Sequence, residues 1–144
     1  MNYSRRDLSM LLPALLAMGK AASAADSKTL PSKVFPIEEL PVKTAANGNK
    51  TWQVFKGETH EGFPIDMHIT ELAPGNMPHP AHHHVHEEMV MMIEGTLEVT
   101  ISGQSKKIGP GGLAYVNSND EHGWKNVGGT PARYYVFAIG RQNT

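Results

Sequence analysis

The chain has no cysteine, which removes disulfides and thiolate metal ligands together. It has no unbroken apolar stretch of the roughly 20 residues that a bilayer-crossing helix needs, so no stable membrane span is expected. There is no surplus of basic charge either: 13 Lys and Arg stand against 14 Asp and Glu, a formal net charge of −1. Nucleic acid is therefore not an expected partner, because the electrostatic footprint for phosphate is missing. No internal repeat is visible. The run "GPGG" at 109–112 is a turn and not a phosphate loop, since no Lys-Ser/Thr pair follows it. A protein with these absences must be held together by packing, helped by a bound metal or a partner subunit.

The 144 residues fit one domain, but the N-terminal "MNYSRRDLSMLLPALLAMGKAASA" stands apart from it. Arg5 and Arg6 precede an apolar run from Leu11 to Met18, and the small residues Ala22-Ser23-Ala24 close the segment. That order is the plan of an export signal with an A-x-A-type cleavage site. Ser4, Arg5 and Arg6 resemble a twin-arginine signal, with Leu8 where Phe is usual and Ser9 and Met10 departing from the pattern. The expectation is a signal over 1–24 cleaved near Ala24, an extended leader over 25–50 and a barrel domain over 51–144. The mature protein would be periplasmic or extracellular. Removing 1–24 takes away Arg5, Arg6, Lys20 and Asp7, which leaves 10 basic and 13 acidic side chains.

Beyond the leader, with its Pro31, Pro36, Pro41 and a turn at Asn47-Gly48, short apolar runs alternate with turn signals. "TWQVF" at 51–55, "IDMHITEL" at 65–72, "TLEVTIS" at 96–102, "LAYV" at 113–116 and "YYVFAI" at 134–139 are strand-like. Gly and Pro mark the joints between them. Short strands at near-regular spacing predict an all-β sandwich or barrel. Residues 81–94, "AHHHVHEEMVMMIE", leave helix and strand nearly even on propensity, and the strand beginning after Gly95 favours a hairpin.

The same segment holds the chemistry. Five of eight histidines fall within "HPAHHHVHEE", His79 to Glu88. On one straight strand His82, His84, His86 and Glu88 would share a face, but His82 and Glu88 would lie about 20 Å apart. Metal–ligand bonds are about 2 Å long, so a shared metal requires a bend at Val85-His86-Glu87. His83 would then point outward, and His79 and His86 would lie at the surface or just behind the ligands. A further ligand must come from His60, His68 or His122. His122, after "YVNSNDE" and before Gly123-Trp124, is the best placed, and His60 and His68 suit ordinary strand or loop roles. The plain alternative is a solvent-facing histidine cluster.

These residues carry a resemblance. Gly75, His82, His84, Glu88 and Gly95 are similar to the first motif of the cupins, with a first spacing one residue longer than usual. Gly111, His122 and Asn126 fall in register with the second motif, with Asn117 and Asn119 replacing its Pro and Gly. Asn tolerates the left-handed turn that those positions require. The chain thus resembles a single-domain cupin over about residues 63–139. The resemblance implies a jelly-roll β-barrel with a metal inside, held by His82, His84, Glu88 and His122. Such an N/O donor set suits Fe, Mn, Ni, Co, Cu or Zn without choosing among them.

If Glu88 faces inward, Val90 and Met92 share its face, and Trp124 shares that of His122. With Tyr115 and either Tyr135 or Phe137 they would line an apolar pocket. Asp66, Glu71 and Asp120 read as solvated. Three functions follow. One is a metalloenzyme acting on a small oxygen-rich substrate, with dioxygenase chemistry first and isomerase or lyase chemistry next, and with Glu88 as a proton shuttle. Another is a module that binds a small molecule without chemistry. The third is a copper or nickel scavenger using the histidines with Met77, Met89, Met91 and Met92. Exposed strand edges would permit a homodimer.

Overall fold

The computed structural model describes residues 28–141. The segment expected to be an export signal, 1–24, lies outside the described residues. Among those residues the strands are β1 (Val42–Thr44), β2 (Lys50–Glu58), β3 (Pro64–Leu72), β4 (Glu87–Glu94), β5 (Leu97–Ile101), β6 (Gln104–Ile108), β7 (Leu113–Val116), β8 (His122–Asn126) and β9 (Ala132–Ile139). Helical structure is confined to a 3₁₀ turn at Ile37–Glu39. No helix among the described residues is long and apolar enough to cross a membrane. The strands form two antiparallel sheets, β1-β2-β3-β9-β4-β7 and β6-β5-β8, the all-β architecture expected from the strand spacing, in the jelly-roll form that the cupin resemblance implied.

The even balance between helix and strand at 81–94 is settled by neighbours, and the hairpin expected across Gly95 does not form, because β4 and β5 belong to different sheets. β4 hydrogen-bonds to β9 along one edge and to β7 along the other. Pairing on both sides outweighs the helix propensity of Glu and Met. Every second residue of β9 is buried: Ala132, Tyr134, Val136 and Ala138. Ala132, Tyr134 and Val136 meet Leu72, Val90, Met92, Leu97, Val99 and Trp124 in one core between the sheets. Tyr134 is fully buried, and its hydroxyl accepts the indole N–H of Trp124 at 2.8 Å. Burial pushes this phenol well above its usual pKa.

Three strands were not evident in the chain's patterning. β1 lies within the expected leader and pairs with β2 across the Asn47-Gly48 turn. β6, "QSKKI", is mostly exposed and is held only by β5. β8 begins at His122, where sequence suggested the end of a turn, because its backbone pairs with β5 from Leu97↔Asn126 to Ile101↔His122. The leader also covers part of the large sheet's outer face. Phe35 packs on Phe55, 5.8 Å between ring centroids, and Phe35, Ile37 and Leu40 line a cleft with Val54, Met67 and Ile69. Both faces of β3 are therefore covered.

Asn126 closes the barrel from within. It is fully buried. Its amide donates to the Leu72 carbonyl at 2.9 Å and the Thr130 carbonyl at 2.8 Å, and its oxygen accepts the Gly128 N–H at 2.9 Å. At about 1 kcal/mol per bond, Asn126→Ala is expected to lower the unfolding free energy by about 3 kcal/mol, measured by urea denaturation.

Glu71 differs from the expectation of a solvated carboxylate. It is buried on the outer face, where Arg133 donates through Nε at 3.1 Å and Lys50 Nζ at 3.0 Å. Hydrogen bonding from Arg133, reinforced by Lys50, holds its pKa below the usual carboxylate value of 4.5. A carboxylate with a depressed folded-state pKa contributes stability above its unfolded pKa and loses it as pH falls through the folded value. Glu71→Gln should therefore flatten the drop in Tm on acidification below about pH 4.5, read by thermal melts at stepped pH.

Candidate metal centre

His82 reaches the site through a backbone pair. It forms an isolated antiparallel bridge with His122, with N–H to carbonyl bonds of 3.0 and 2.8 Å. Residues paired directly across an antiparallel bridge project to the same side, and the two rings sit 4.7 Å apart. The chain then turns through His83 and Val85, both exposed, before entering β4 at Glu87. This bend folds His84 back over Glu88. The His84 Nε2 to Glu88 Oε2 distance is 2.9 Å, and His122 Nε2 lies 3.4 Å from the same oxygen. His84, Glu88 and His122 are buried, and His82 is half-buried.

The outer nitrogens set the tautomers. His84 Nδ1–H donates to the His86 carbonyl at 2.8 Å, and His122 Nδ1–H donates to the Asp120 carbonyl at 2.8 Å. Each ring therefore turns its Nε2 lone pair inward, the usual second-sphere arrangement of metal-binding histidine. His84 Nε2 then meets a carboxylate oxygen at 2.9 Å, a contact that either a proton or a metal ion between them would hold. His122 Nε2 and His82 Nδ1 are buried with no hydrogen-bond partner. Unpartnered buried lone pairs are costly, and a metal ion would satisfy them together. His82, His84 and His122 place ligand atoms within 4.8 Å of one another, and so do His84, His86 and Glu88. His82, His84, Glu88 and His122 could thus hold a metal ion.

Of the side chains expected to line a pocket, Val90, Met92 and Trp124 lie in the core, and Trp124 stacks on His122 at 5.7 Å and 24°. Tyr115 does not reach the site. It pairs with Met89 while Val116 pairs with Glu88, so alternation turns Tyr115 to the outer face, where it is 52% exposed. His79, exposed, sets its ring edge-on to His82 at 4.2 Å. His86 is half-buried, stacked on His84 at 3.6 Å and 8°.

Asp66 and His68 are neither solvated nor incidental. In register across the sheet, Asp66 opposes Ala138 and Ala138 opposes Glu88, so Asp66 looks into the same interior. Gln53 donates to it at 2.9 Å, and Lys56 lies 3.4 Å away. Burial holds the His68 imidazole below its usual pKa, against the pull of Asp66 and Glu88. The alternation Asp66, His68, Thr70 was a usable signal, but it marks a face without saying which face is inside. A cleft of about 490 Å³ is lined by Lys56, Asp66, Ala138, Gly140 and Arg141, and none of the four candidate ligands lines it.

Comparison with known proteins agrees with this geometry. Residues 68–138 match the family model of the cupin domain. L-ectoine synthase of Bordetella parapertussis is 36% identical over 75 residues, 51% of this chain and 56% of the relative. The chain thus spans about half the length of the curated relatives it matches. The fold is similar to an RmlC-like cupin from Shewanella frigidimarina, with a TM-score of 0.63 and 19% identity over 76% of this chain and 93% of that one. It is also similar to KdgF from Halomonas sp., with a TM-score of 0.64 and 17% identity over 77% of this chain and 96% of that one. The chain is thus similar to the cupins over residues 68–138, which carry strands β4 to β8, nearly all of β9 and all four candidate ligands.

Proposed function

We propose that this protein is an exported metal-dependent enzyme acting on a small oxygen-rich molecule. The observation that carries this reading is the convergence of His84 Nε2 and His122 Nε2 on one oxygen of Glu88, with His82 grouped beside them and the nitrogens His82 Nδ1 and His122 Nε2 buried and unpartnered. His82, His84, Glu88 and His122 would hold the metal. Bound there, a divalent transition ion supplies Lewis acidity or a site for dioxygen. The remaining roles belong to the chain. Trp124, Val90 and Met92 keep the inner side of the site dry. The cleft of about 490 Å³ includes Ala138, the strand partner of Glu88. Glu88 Oε2, when released from the metal, can take a proton from the substrate.

Dioxygenase chemistry and isomerase or lyase chemistry both suit this donor set. The relatives at 35–36% identity are named synthases, which favours polarisation of the substrate over oxygen activation. Elemental analysis of untagged protein, exported by its own signal, tests the reading: about one equivalent of iron, manganese, nickel, cobalt, copper or zinc is expected. Several equivalents of copper would instead indicate a scavenger, and no metal would end the proposal. Turnover of a panel of enols, hydroxy acids and sugars under anaerobic conditions then separates the two chemistries. For export, the mass of the secreted protein should correspond to a chain beginning at Ala25.

A further inference from the structure

The site holds one more donor than the family motif supplies. His86 stands between the ligands His84 and Glu88, and its Nδ1 is buried without a hydrogen-bond partner. Its ligand atom lies within 4.8 Å of those of His84 and Glu88. The ring is stacked on His84 with the planes 8° apart and the centroids separated by 3.6 Å. A metal bonds an imidazole nitrogen within the ring plane, so one ion cannot bond both rings while they stay stacked. To coordinate, His86 must turn about its side-chain bonds. Gly140 flanks His86 without a side chain: a β-carbon there would lie 3.9 Å from His86 Cβ and 3.3 Å from Glu87 Oε2. The backbone at this point is tied to the site already, since the His86 carbonyl accepts the Nδ1–H of His84.

We infer that His86 is an exchangeable fifth ligand, which takes the coordination position of Glu88 when that carboxylate leaves the metal. This inference rests on the metal-centre reading above. It answers a requirement of that reading: a carboxylate that both binds the ion and moves a proton leaves a coordination position open each time it departs. With His86 in reserve, the ion keeps four protein donors throughout. Stacking on His84 parks the ring when Glu88 is bound.

The test uses Cu(II) as the probe on the full secreted chain, with nitrogen ligands counted by pulsed EPR and affinity measured by competition with a chelator. Wild-type protein should bind one equivalent with three imidazole nitrogens. Glu88→Ala should bind one equivalent with four, at an affinity within about 10-fold of wild type. Adding His86→Ala to that variant should return the count to three and weaken binding by a further 10- to 100-fold, about the loss seen when a supporting contact is removed from a metal site. Glu88→Gln, which keeps the shape of the buried side chain, gives the same readout if Glu88→Ala fails to fold. Three nitrogens in both Glu88 variants, or no change on adding His86→Ala, would overturn the role of His86 while leaving the metal centre intact. Wild-type protein that binds no copper would overturn both readings.

Discussion

Protein carrying His122→Ala is expected to bind metal at least about 100-fold more weakly than wild type, because even supporting contacts outside the ligand set cost 10- to 100-fold. His122 is 1% exposed. Its Nδ1–H is committed to the Asp120 carbonyl, and its Nε2 is buried and unpartnered. Among the candidate ligands it is the one that comes from the small sheet. His82 and His84 come from the bend before β4 and Glu88 from β4 itself, whereas His122 opens β8. Truncation also removes packing against Trp124, at about 2 kcal/mol, so the variant should stay folded. Circular dichroism checks the fold and elemental analysis checks the metal. His122→Gln keeps most of the side-chain volume and should show the same loss of metal with a smaller loss of stability. One full equivalent of metal in both variants would remove His122 from the ligand set.

The largest effect on stability is expected at Gly95, between β4 and β5. Its φ is +81°, and a β-carbon there would lie 2.6 Å from the Ala132 Cα and from the Pro131 carbonyl oxygen. Both neighbours are backbone, which cannot move aside as a side chain can. Gly95→Ala therefore combines left-handed strain of about 1–2 kcal/mol with overpacking of about 1–3 kcal/mol. A loss near 4 kcal/mol is a large part of the 5–15 kcal/mol that typically holds a domain folded. Gly103 supplies the control. Its φ is +78°, but nothing lies within 4 Å of its would-be β-carbon, so Gly103→Ala should show the strain alone. Urea melts of the two variants measure the difference. Equal losses would mean that the β5 hairpin can shift away from β9.

Gly95 also shows what a motif position can mean physically. It falls in register with the last glycine of the first motif, and Asn126 with the last residue of the second. Neither offers a ligand. Gly95 lets the connection from β4 to β5 pass close to the start of β9, and Asn126 bonds Leu72, Thr130 and Gly128 from inside. Their spacing from the histidines was visible in the chain, but their work could be seen only once the strands were placed.

The amino-acid sequence alone determined that the protein is built of strands, because apolar residues recur at period two between Gly and Pro joints. It also determined that His82, His84 and Glu88 can meet only if the chain bends after His84. Tertiary structure decided which face of each strand is inside. Alternation groups Asp66 with His68 and Tyr115 with Leu113, but it carries no sign. Here the leader covers the outer face of β3 with Phe35, Ile37 and Leu40. Apolar character therefore ceases to mark the interior: polar Asp66 and His68 turn toward Glu88, and Tyr115 turns away. The pairings that set this direction, Glu88↔Ala138 and His82↔His122, join residues far apart in the chain, where local patterning has no information.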